Sequence, residues 1–455
     1  MAEQTIGPPP PFDELTPKER VSRLWAISAP IILALSSQNL LNIVDTWIVG
    51  QLGSRELAAV AMGASTNWML SAFFIGVGAG VQAIVARRVG DGELDGAVGA
   101  LNRALHFTVS LVVPFSFFAA FFSDQIIGWI TTADDIDLVG TPYLAARLAG
   151  LSFVSANFAF RGYWNGLGLS RLYLRTLVII HIINVILSYF LVFGAGDFTG
   201  WRVFGAGVGS TVAQAVGTIY YCYIASHHGV RTGFLKRSHS VSLRQLMKLG
   251  GPFGVQTLLF SVGFFIFFII TDHKGPRELG ASQVLVTMSL VSILPGVGMG
   301  LGAASFIGQC LGANRPDDAR KWGWLATKIA VLICGSIGIV ETLTAETWMG
   351  WFIPNDPETA ALGIPALQVI GMVMLLDAIG IVLSNCLVGA GATKLVLIWS
   401  VICQYGLFLP FAYLFAHVLD WSLAWMWVAF GIYRIVFAGV TVILWKGKRW
   451  QSIQV

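Results

Sequence analysis

A single carboxylate lies within the first long apolar segment of this chain, residues 24–53. Asp45 follows Gln38 and Asn42 at helical spacing, so the three side chains would form one polar stripe on a helix otherwise covered by leucine and isoleucine. A charge buried in hydrocarbon is costly and is seldom kept without a use. We therefore interpret Asp45 as a candidate ion-coupling group, with Gln38 and Asn42 as its polar neighbours.

A proline lies in the same segment, upstream of the stripe. Pro30 removes a backbone donor and its ring clashes with the preceding turn, so the spacing predicts a kinked helix. We expect Pro30 to act as a hinge.

The composition indicates a membrane protein that crosses the bilayer many times. The chain has 455 residues, of which 56% are hydrophobic and 11% charged, and its mean hydropathy is +0.73. Segments of about 20 or more apolar residues predict transmembrane helices. Twelve such spans are predicted, at 24–50, 57–86, 99–122, 141–165, 173–193, 203–225, 246–271, 279–310, 323–346, 360–388, 395–416 and 421–445. The polar, proline-rich start of the chain lacks the pattern of a signal peptide, so the first span is expected to be retained.

Basic residues predict the orientation in the membrane. Most of the lysines and arginines between spans fall on one side, while the other side receives Arg55, Arg202, Lys274 and Arg277. The positive-inside rule therefore places both termini in the cytoplasm, within the inner membrane of the cell. This distribution also accounts for the net charge of +4 without a nucleic-acid partner. The predicted organisation is a tail at 1–23, a first lobe at 24–225, a cytoplasmic linker at 226–245, a second lobe at 246–445 and a tail at 446–455.

The chain contains an internal repeat. Shifting residues 30–97 by 222 positions onto 252–319 aligns Pro30 with Pro252 and repeats both an Arg-Glu-Leu sequence and a Gly-x-Gly-x-Gly pattern. Six spans are thus duplicated, which predicts an all-α fold of two pseudo-symmetric six-helix bundles with a substrate cleft between them. We expect the protein to act as a monomer.

The two halves differ in chemistry at the polar stripe. Gln38, Asn42 and Asp45 correspond to Phe260, Phe264 and Phe267 in the second half. Ion chemistry is therefore expected in the first lobe, whereas the aromatic face suits an apolar or cationic ligand. Met288 is a further candidate for an adaptable pocket, with ordinary core packing as the alternative. Glu341, near the outer end of span nine, is expected at the membrane interface.

The pattern from Pro30 to Gly53 resembles the first span of the multidrug and toxic compound extrusion (MATE) transporters. The resemblance extends to the segments RGYWNGLGLSR, NVILSYFLVFG, GVGSTVAQAVG and DAIGIVLSNCLVGAGATK, in that order. It implies export of cationic or amphipathic compounds in exchange for H⁺ or Na⁺, without ATP, without a cofactor and without enzymatic chemistry. No nucleotide-binding motif is visible in the sequence.

The resemblance also implies roles for individual residues. Asp45 matches the acidic residue of span one, Asn184 the span-five asparagine and Thr211 a polar position of span six, while Asp377 matches an acid of span ten in some members. Two positions depart from the family pattern. Ser188 stands where many members have an acid or amide, and Phe260 stands where some have a glutamate. Both departures reduce the anionic oxygens that a sodium ion would need, so protons are the expected coupling ion, with Na⁺ as the alternative.

Two other functions are consistent with parts of the sequence. A flippase for lipid-linked oligosaccharides would need cationic side chains in the cleft, for which Arg147, Arg161 and Arg434 are the candidates. An intramembrane hydrolase would need Asp45 and Asp377 as an adjacent carboxylate pair, yet the repeat places them in opposite lobes. The five cysteines show no spacing typical of metal ligands, and no metal site is expected.

Overall fold

The structure of the chain is a computed structural model, which describes residues 7–129, 134–227, 233–235 and 241–453. These residues form helices and their connections. The first half contains α1 (Pro17–Gly50), α2 (Ser54–Gly90), α3 (Leu94–Phe107), α4 (Val113–Phe121), α5 (Ser123–Gly128), α6 (Asp134–Ala149), α7 (Leu151–Gly166), α8 (Ser170–Phe193) and α9 (Arg202–His227). The second half contains α10 (Leu243–Asp272), α11 (Pro276–Gly312), α12 (Pro316–Leu343), α13 (Ala345–Phe352), α14 (Pro357–Gly389), α15 (Thr393–Cys403), α16 (Leu409–Tyr413) and α17 (Leu423–Lys446).

Short π-helical turns interrupt two of the spans. One, at Thr108–Val112, joins α3 to α4, and two more, at Gln404–Phe408 and Leu414–Val418, flank α16. Each predicted span coincides with one helix, with such a joined series or, at 141–165, with the two helices α6 and α7. Half of the predicted linker at 226–245, namely 228–232 and 236–240, lies outside the described residues.

Among the described residues, 10 helices are long and apolar enough to cross a membrane, or 11 if α6 and α7 form one bent span. The predicted span at 203–225 coincides with α9, which is not in this set because its glycines and its polar side chains lower its mean hydropathy. The helical fold therefore agrees with the prediction, although α9 alone would not be recognised as a span.

The helices divide into two compact units. The first comprises Leu33–Gly254, and the second comprises Gly7–Ile32 together with Val255–Val455. Both divisions lie inside a long helix, two residues after Pro30 in α1 and two residues after Pro252 in α10. The predicted lobes instead assign each of these helices to one lobe. Each half of the repeat therefore begins with a helix that passes from one unit into the other just after a proline.

The first helix of each repeat begins in the unit that is formed mainly by the other repeat, and glycines allow it to pack closely there. In the first unit, a Cβ on Gly76 of α2 would lie 2.6 Å from Gly254 Cα of α10. In the second unit, a Cβ on Gly298 of α11 would lie 3.0 Å from the backbone nitrogen of Ile32 in α1. These two contacts are equivalent under the repeat. The Gly-x-Gly-x-Gly pattern is thus a site of helix packing, as small residues at this spacing indicate.

A short N-terminal segment anchors the start of α1 within the second unit. Thr16 and Glu19 form a reciprocal capping box, in which the Thr16 amide donates to the Glu19 carboxylate at 2.8 Å and the Glu19 amide donates to Thr16 Oγ1 at 3.3 Å. Phe12 packs edge-on against Trp322 of α12, with ring centroids 5.1 Å apart. Lys321 pairs with Asp13 and thereby holds the pKa of that carboxyl below its usual range.

Candidate functional site

The polar stripe of α1 lies in the first unit, on the part of the helix that follows Pro30. Gln38 Nε2 donates a hydrogen bond to Asn42 Oδ1 at 3.3 Å. Asp45 is half-buried, and its Oδ1 atom is enclosed with no hydrogen-bond partner. An enclosed acceptor without a donor is costly. The Asp45 carboxyl is therefore suited to take up a proton or a donor group from a ligand.

An arginine of α6 is the charged neighbour of Asp45. The Arg147 guanidinium interacts electrostatically with the Asp45 carboxylate, and the buried Tyr143 lies one turn before Arg147 on α6. No hydrogen bond links Asp45 and Arg147, and Arg147 Nε is enclosed without a partner. From the sequence, Arg147 was a candidate only for the cationic cleft of a flippase, and its relation to Asp45 was not predicted. A general rule could have indicated such a partner for Asp45, because an ionisable residue within a span usually has a partner of opposite charge.

A bend between α6 and α7 fixes the position of Arg147. The two helices meet at an angle of 43°, whereas the sequence predicted one uninterrupted span at 141–165. At the bend the Gly150 amide donates to the Arg147 carbonyl at 3.1 Å. The hydroxyl of Thr211 on α9 donates to the Ala146 carbonyl at 2.8 Å. A Cβ on Gly150 would lie 2.7 Å from Thr211 Oγ1, so the close approach of α9 requires glycine here.

The Thr211 hydroxyl thus stabilises the bend that follows Arg147. Its predicted role in ion coupling stays a prediction, and the bend gives it a second way to affect the site, through the position of Arg147.

The other predicted coupling residues form their own network between α8 and α9. Asn184 Nδ2 donates to Ser210 Oγ at 3.0 Å, and Ser188 Oγ donates to Asn184 Oδ1 at 3.4 Å. All three side chains are buried. The structure therefore brings Asn184 and Ser188 to each other and to Ser210, and no hydrogen bond joins them to Asp45. The polar stripe of α1 contacts α8 through a different pair of residues, since His181 Nε2 lies 3.3 Å from Gln38 Oε1.

Aromatic side chains form a cluster in the second unit. Phe264 packs against Phe260, Phe408 and Phe430, with ring centroids 5.1, 6.0 and 5.9 Å apart. Phe267 is fully buried, whereas Phe260 is 38% exposed. The backbone of α10 is held by the π-helical turn, where Gln404 Nε2 donates to the Phe260 carbonyl at 3.0 Å. The exposed edge of this cluster is thus at Phe260.

A buried ion pair adjoins the aromatic cluster. Arg434 Nε of α17 donates to Asp377 Oδ1 of α14, and the two side chains are 7% and 1% exposed. The guanidinium also lies 5.4 Å from the ring centre of Tyr433 and 6.0 Å from that of Phe430. Asp377 was predicted to bind substrate. In this conformation its charge is already balanced by Arg434, and the cation–π positions of these rings are occupied by the same arginine.

Two further predictions in the second unit concern residues of α11 and α12. Met288 is 4% exposed, which agrees with core packing as the alternative for this residue. The expectation that Glu341 lies at the membrane interface is wrong, because its side chain is 3% exposed and bonds to Ser292 of α11. The error arose because position near the end of a span does not reveal which face of the helix carries the residue. Among the described residues, no group of three or more His, Cys, Asp and Glu side chains could hold a metal ion.

A family model described as MatE matches residues 30–190 and 252–414. The two matches begin at Pro30 and Pro252, the prolines that precede the divisions in α1 and α10. This chain belongs to the MATE family. The match thus includes Asp45, Arg147 and Asn184 in its first part. Its second part includes Phe260, Phe264 and Phe408 of the aromatic cluster.

Individual relatives and solved structures agree with membership of the MATE family. The probable multidrug resistance protein NorM of Mannheimia succiniciproducens is 23% identical over 433 residues, which are 92% of each chain. A MOP superfamily transporter from Pyrococcus furiosus superposes with a TM-score of 0.86 at 21% identity, over 93% of this chain and 94% of the other. A MATE protein in the straight conformation gives a TM-score of 0.85 over 93% and 95%. The predicted fold of twelve transmembrane helices is thereby confirmed, and the chain is an integral membrane protein.

Proposed function

We propose that this chain is a proton-coupled efflux transporter that exports cationic or amphipathic compounds across the cell membrane, with both termini in the cytoplasm, and that Asp45 is its coupling carboxylate. The names of its relatives, probable multidrug resistance proteins, support the substrate class. The observation that carries the proposal is the enclosed Oδ1 of Asp45, which has no hydrogen-bond partner. The guanidinium of Arg147 is the charged group that acts electrostatically on this carboxylate.

The charges at this site suggest how exchange is enforced. When Asp45 is ionised, it balances Arg147 and the site has no net charge. When Asp45 binds a proton, the positive charge of Arg147 is left uncompensated and repels a cationic compound. Proton and cationic substrate then exclude each other, which is the requirement for antiport between two conformations that open to opposite faces.

Arg147 also favours protons over sodium as the coupling ion. A sodium ion beside Asp45 would experience the repulsion of a guanidinium in a medium of low dielectric constant, whereas a proton bound to the carboxylate forms a neutral acid. The neutral oxygens expected to complete a sodium site are partly engaged elsewhere. Asn184 Oδ1 already accepts a hydrogen bond from Ser188 Oγ, which uses one of its two lone pairs.

The alternatives receive less support from the same residues. Of the arginines considered for an oligosaccharide flippase, Arg434 is paired with Asp377, and Arg161 lies 5.1 Å from the ring centre of Phe158. For a hydrolase, the charge of Asp377 is neutralised by Arg434, so it is not available as a free carboxylate. Neither reading explains the isolated acceptor at Asp45.

The test is transport by purified protein in liposomes loaded with a cationic fluorescent dye. We expect a pH gradient without sodium to drive dye movement, and a sodium gradient at symmetric pH to have no effect. Arg147→Gln removes the guanidinium and should make transport sensitive to sodium, while Arg147→Lys keeps the charge and should not. Dye movement driven by sodium alone in the wild-type protein would overturn the proton assignment.

A further inference from the structure

A second carboxyl is buried within the second unit and is not used by the proposed mechanism. Glu341 belongs to the last turn of α12, and its side chain is 3% exposed. Its Oε1 is hydrogen-bonded to Ser292 Oγ of α11, and its Oε2 is enclosed with no partner. Ser292 lies about 24 Å along α11 from the first residue of that helix, at about 1.5 Å per residue. The Glu341 carboxyl therefore contacts α11 well inside that helix, although Glu341 itself is near the end of α12.

The hydrogen bonds around Ser292 indicate which form of Glu341 fits. The Ser292 hydroxyl has one proton and lies near two acceptors, the Glu341 carboxyl and the Met288 carbonyl at 3.3 Å. If Glu341 were ionised, the two acceptors would compete for that proton. If Glu341 carries a proton on Oε1, it donates to Ser292 Oγ, and Ser292 donates to the Met288 carbonyl. Only the neutral acid provides a donor for both bonds.

The surrounding charges also favour the neutral acid. The helices packed on α12 carry a small set of charged side chains, namely Arg277 and Glu278 on α11, Glu346 on α13, and Glu358 and Asp377 on α14. The N-terminal segment at 12–14 also packs on α12, and it carries Asp13, which pairs with Lys321, and the exposed Glu14. Arg277 pairs with Glu358, Asp377 pairs with Arg434, and Glu346 is exposed. None of these charged side chains forms an ion pair or a hydrogen bond with Glu341, whose Oε1 is bonded to Ser292 and whose Oε2 has no partner. An ionised carboxylate here would lack both a cation and a second hydrogen bond.

We propose that Glu341 is a second proton-binding site of the transporter, which holds its proton when α11 and α12 are packed as seen here and releases it to water in a conformation that separates Ser292 from Glu341. This inference rests on the proposed proton coupling. It adds to that function one transported proton, so that two protons enter for each substrate molecule, one on Asp45 and one on Glu341.

The stoichiometry can be measured as the pH gradient that balances a fixed dye gradient in liposomes whose membrane potential is clamped at zero. For a tenfold gradient of a cationic dye, balance requires about 1 pH unit with one proton and about 0.5 unit with two. We expect wild-type protein to balance at the smaller value and Glu341→Gln at the larger. Glu346→Gln, an exposed carboxyl on the next helix, is the matched control and should balance like the wild type.

Glu341→Gln can still bond to Ser292, so a purely structural role of Glu341 predicts no shift in the balance point. An unshifted balance point would refute the second proton site and leave the function of Asp45 intact. A wild-type protein that does not respond to pH at all would instead refute the proposed function.

If Glu341→Gln does not fold, infrared spectra of wild-type protein and Ser292→Ala decide the question. A protonated carboxyl band that shifts in Ser292→Ala supports the site, and its absence from the wild-type spectrum overturns it.

Discussion

An aspartate interacts with an arginine at two places in the chain, at Asp45 and at Asp377, and the two pairs are arranged differently. Asp45 and Arg147 interact without a hydrogen bond, and each keeps an enclosed atom without a partner. Asp377 and Arg434 are hydrogen-bonded and almost fully buried. An incomplete pair can exchange its partner for a proton or a ligand, whereas a complete buried pair resists separation. The first arrangement fits a coupling site, and the second fits a structural element beside the aromatic cluster.

The buried pair leads to a prediction about stability. Asp377→Asn leaves the Arg434 charge buried without a counter-ion, so we expect a loss of about 3–5 kcal/mol in the free energy of unfolding. The double variant Asp377→Leu with Arg434→Met removes both charges and should recover most of that loss. Thermal unfolding in detergent measures both. Equal stability of Asp377→Asn and the wild type would show that the pair is not a stabilising unit.

The same double variant separates structure from substrate binding. If it folds and still exports dye, the prediction that Asp377 binds substrate is wrong. If it folds and export is lost, that prediction gains direct support.

Among the helices, the glycines of α2 and α11 and the prolines of α1 and α10 act together. The glycines let the first part of each crossing helix pack closely on its neighbour, at Gly76 in the first unit and Gly298 in the second. Each proline then stands two residues before the helix enters the other unit. A helix that is tightly held next to a proline can change direction at that proline, because the missing backbone bond lowers the cost of bending.

The glycine contacts predict a position-dependent effect of one methyl group. Gly76→Ala places a Cβ against the backbone of α10, so we expect a loss of about 1–3 kcal/mol in the free energy of unfolding. Gly439→Ala, in α17, is the control, since a Cβ there meets nothing within 4 Å. Alanine favours helices over glycine, and this variant should be neutral or slightly more stable. Thermal unfolding of both proteins checks the comparison, and equal stabilities would argue against close packing at Gly76.

The proline of α1 leads to a prediction about turnover. Pro30→Ala restores a backbone hydrogen bond and should stiffen α1 next to the division between the units. We expect slower dye export with an apparent KM within about twofold of the wild type, because the change affects switching and leaves the binding groups in place. Pro295→Ala, inside α11 and within a single unit, is the control and should export dye normally. Unchanged export by Pro30→Ala would make the proline a static kink.

Over the whole chain, the sequence was informative where one local pattern decides the structure. Hydropathy located the spans, and the repeat from Pro30 and Pro252 predicted the duplicated fold. The sequence could not predict the electrostatic interaction of Arg147 with Asp45, because the position of Arg147 depends on the bend at Gly150 and on the Thr211 bond from a distant helix. It also misplaced Glu341, since burial there depends on the face that α12 turns toward Ser292. Relations that arise only from tertiary packing were thus the ones missed.

The central claim is that Asp45 couples proton entry to export, and dye transport in everted membrane vesicles under an imposed pH gradient tests it most directly. Asp45→Asn preserves the shape of the side chain but cannot exchange a proton, so we expect this variant to insert normally and to lose gradient-driven transport. Asp124→Asn, an exposed carboxylate on α5, should transport at the wild-type rate. Transport by Asp45→Asn at the wild-type rate under the same pH gradient would contradict the account.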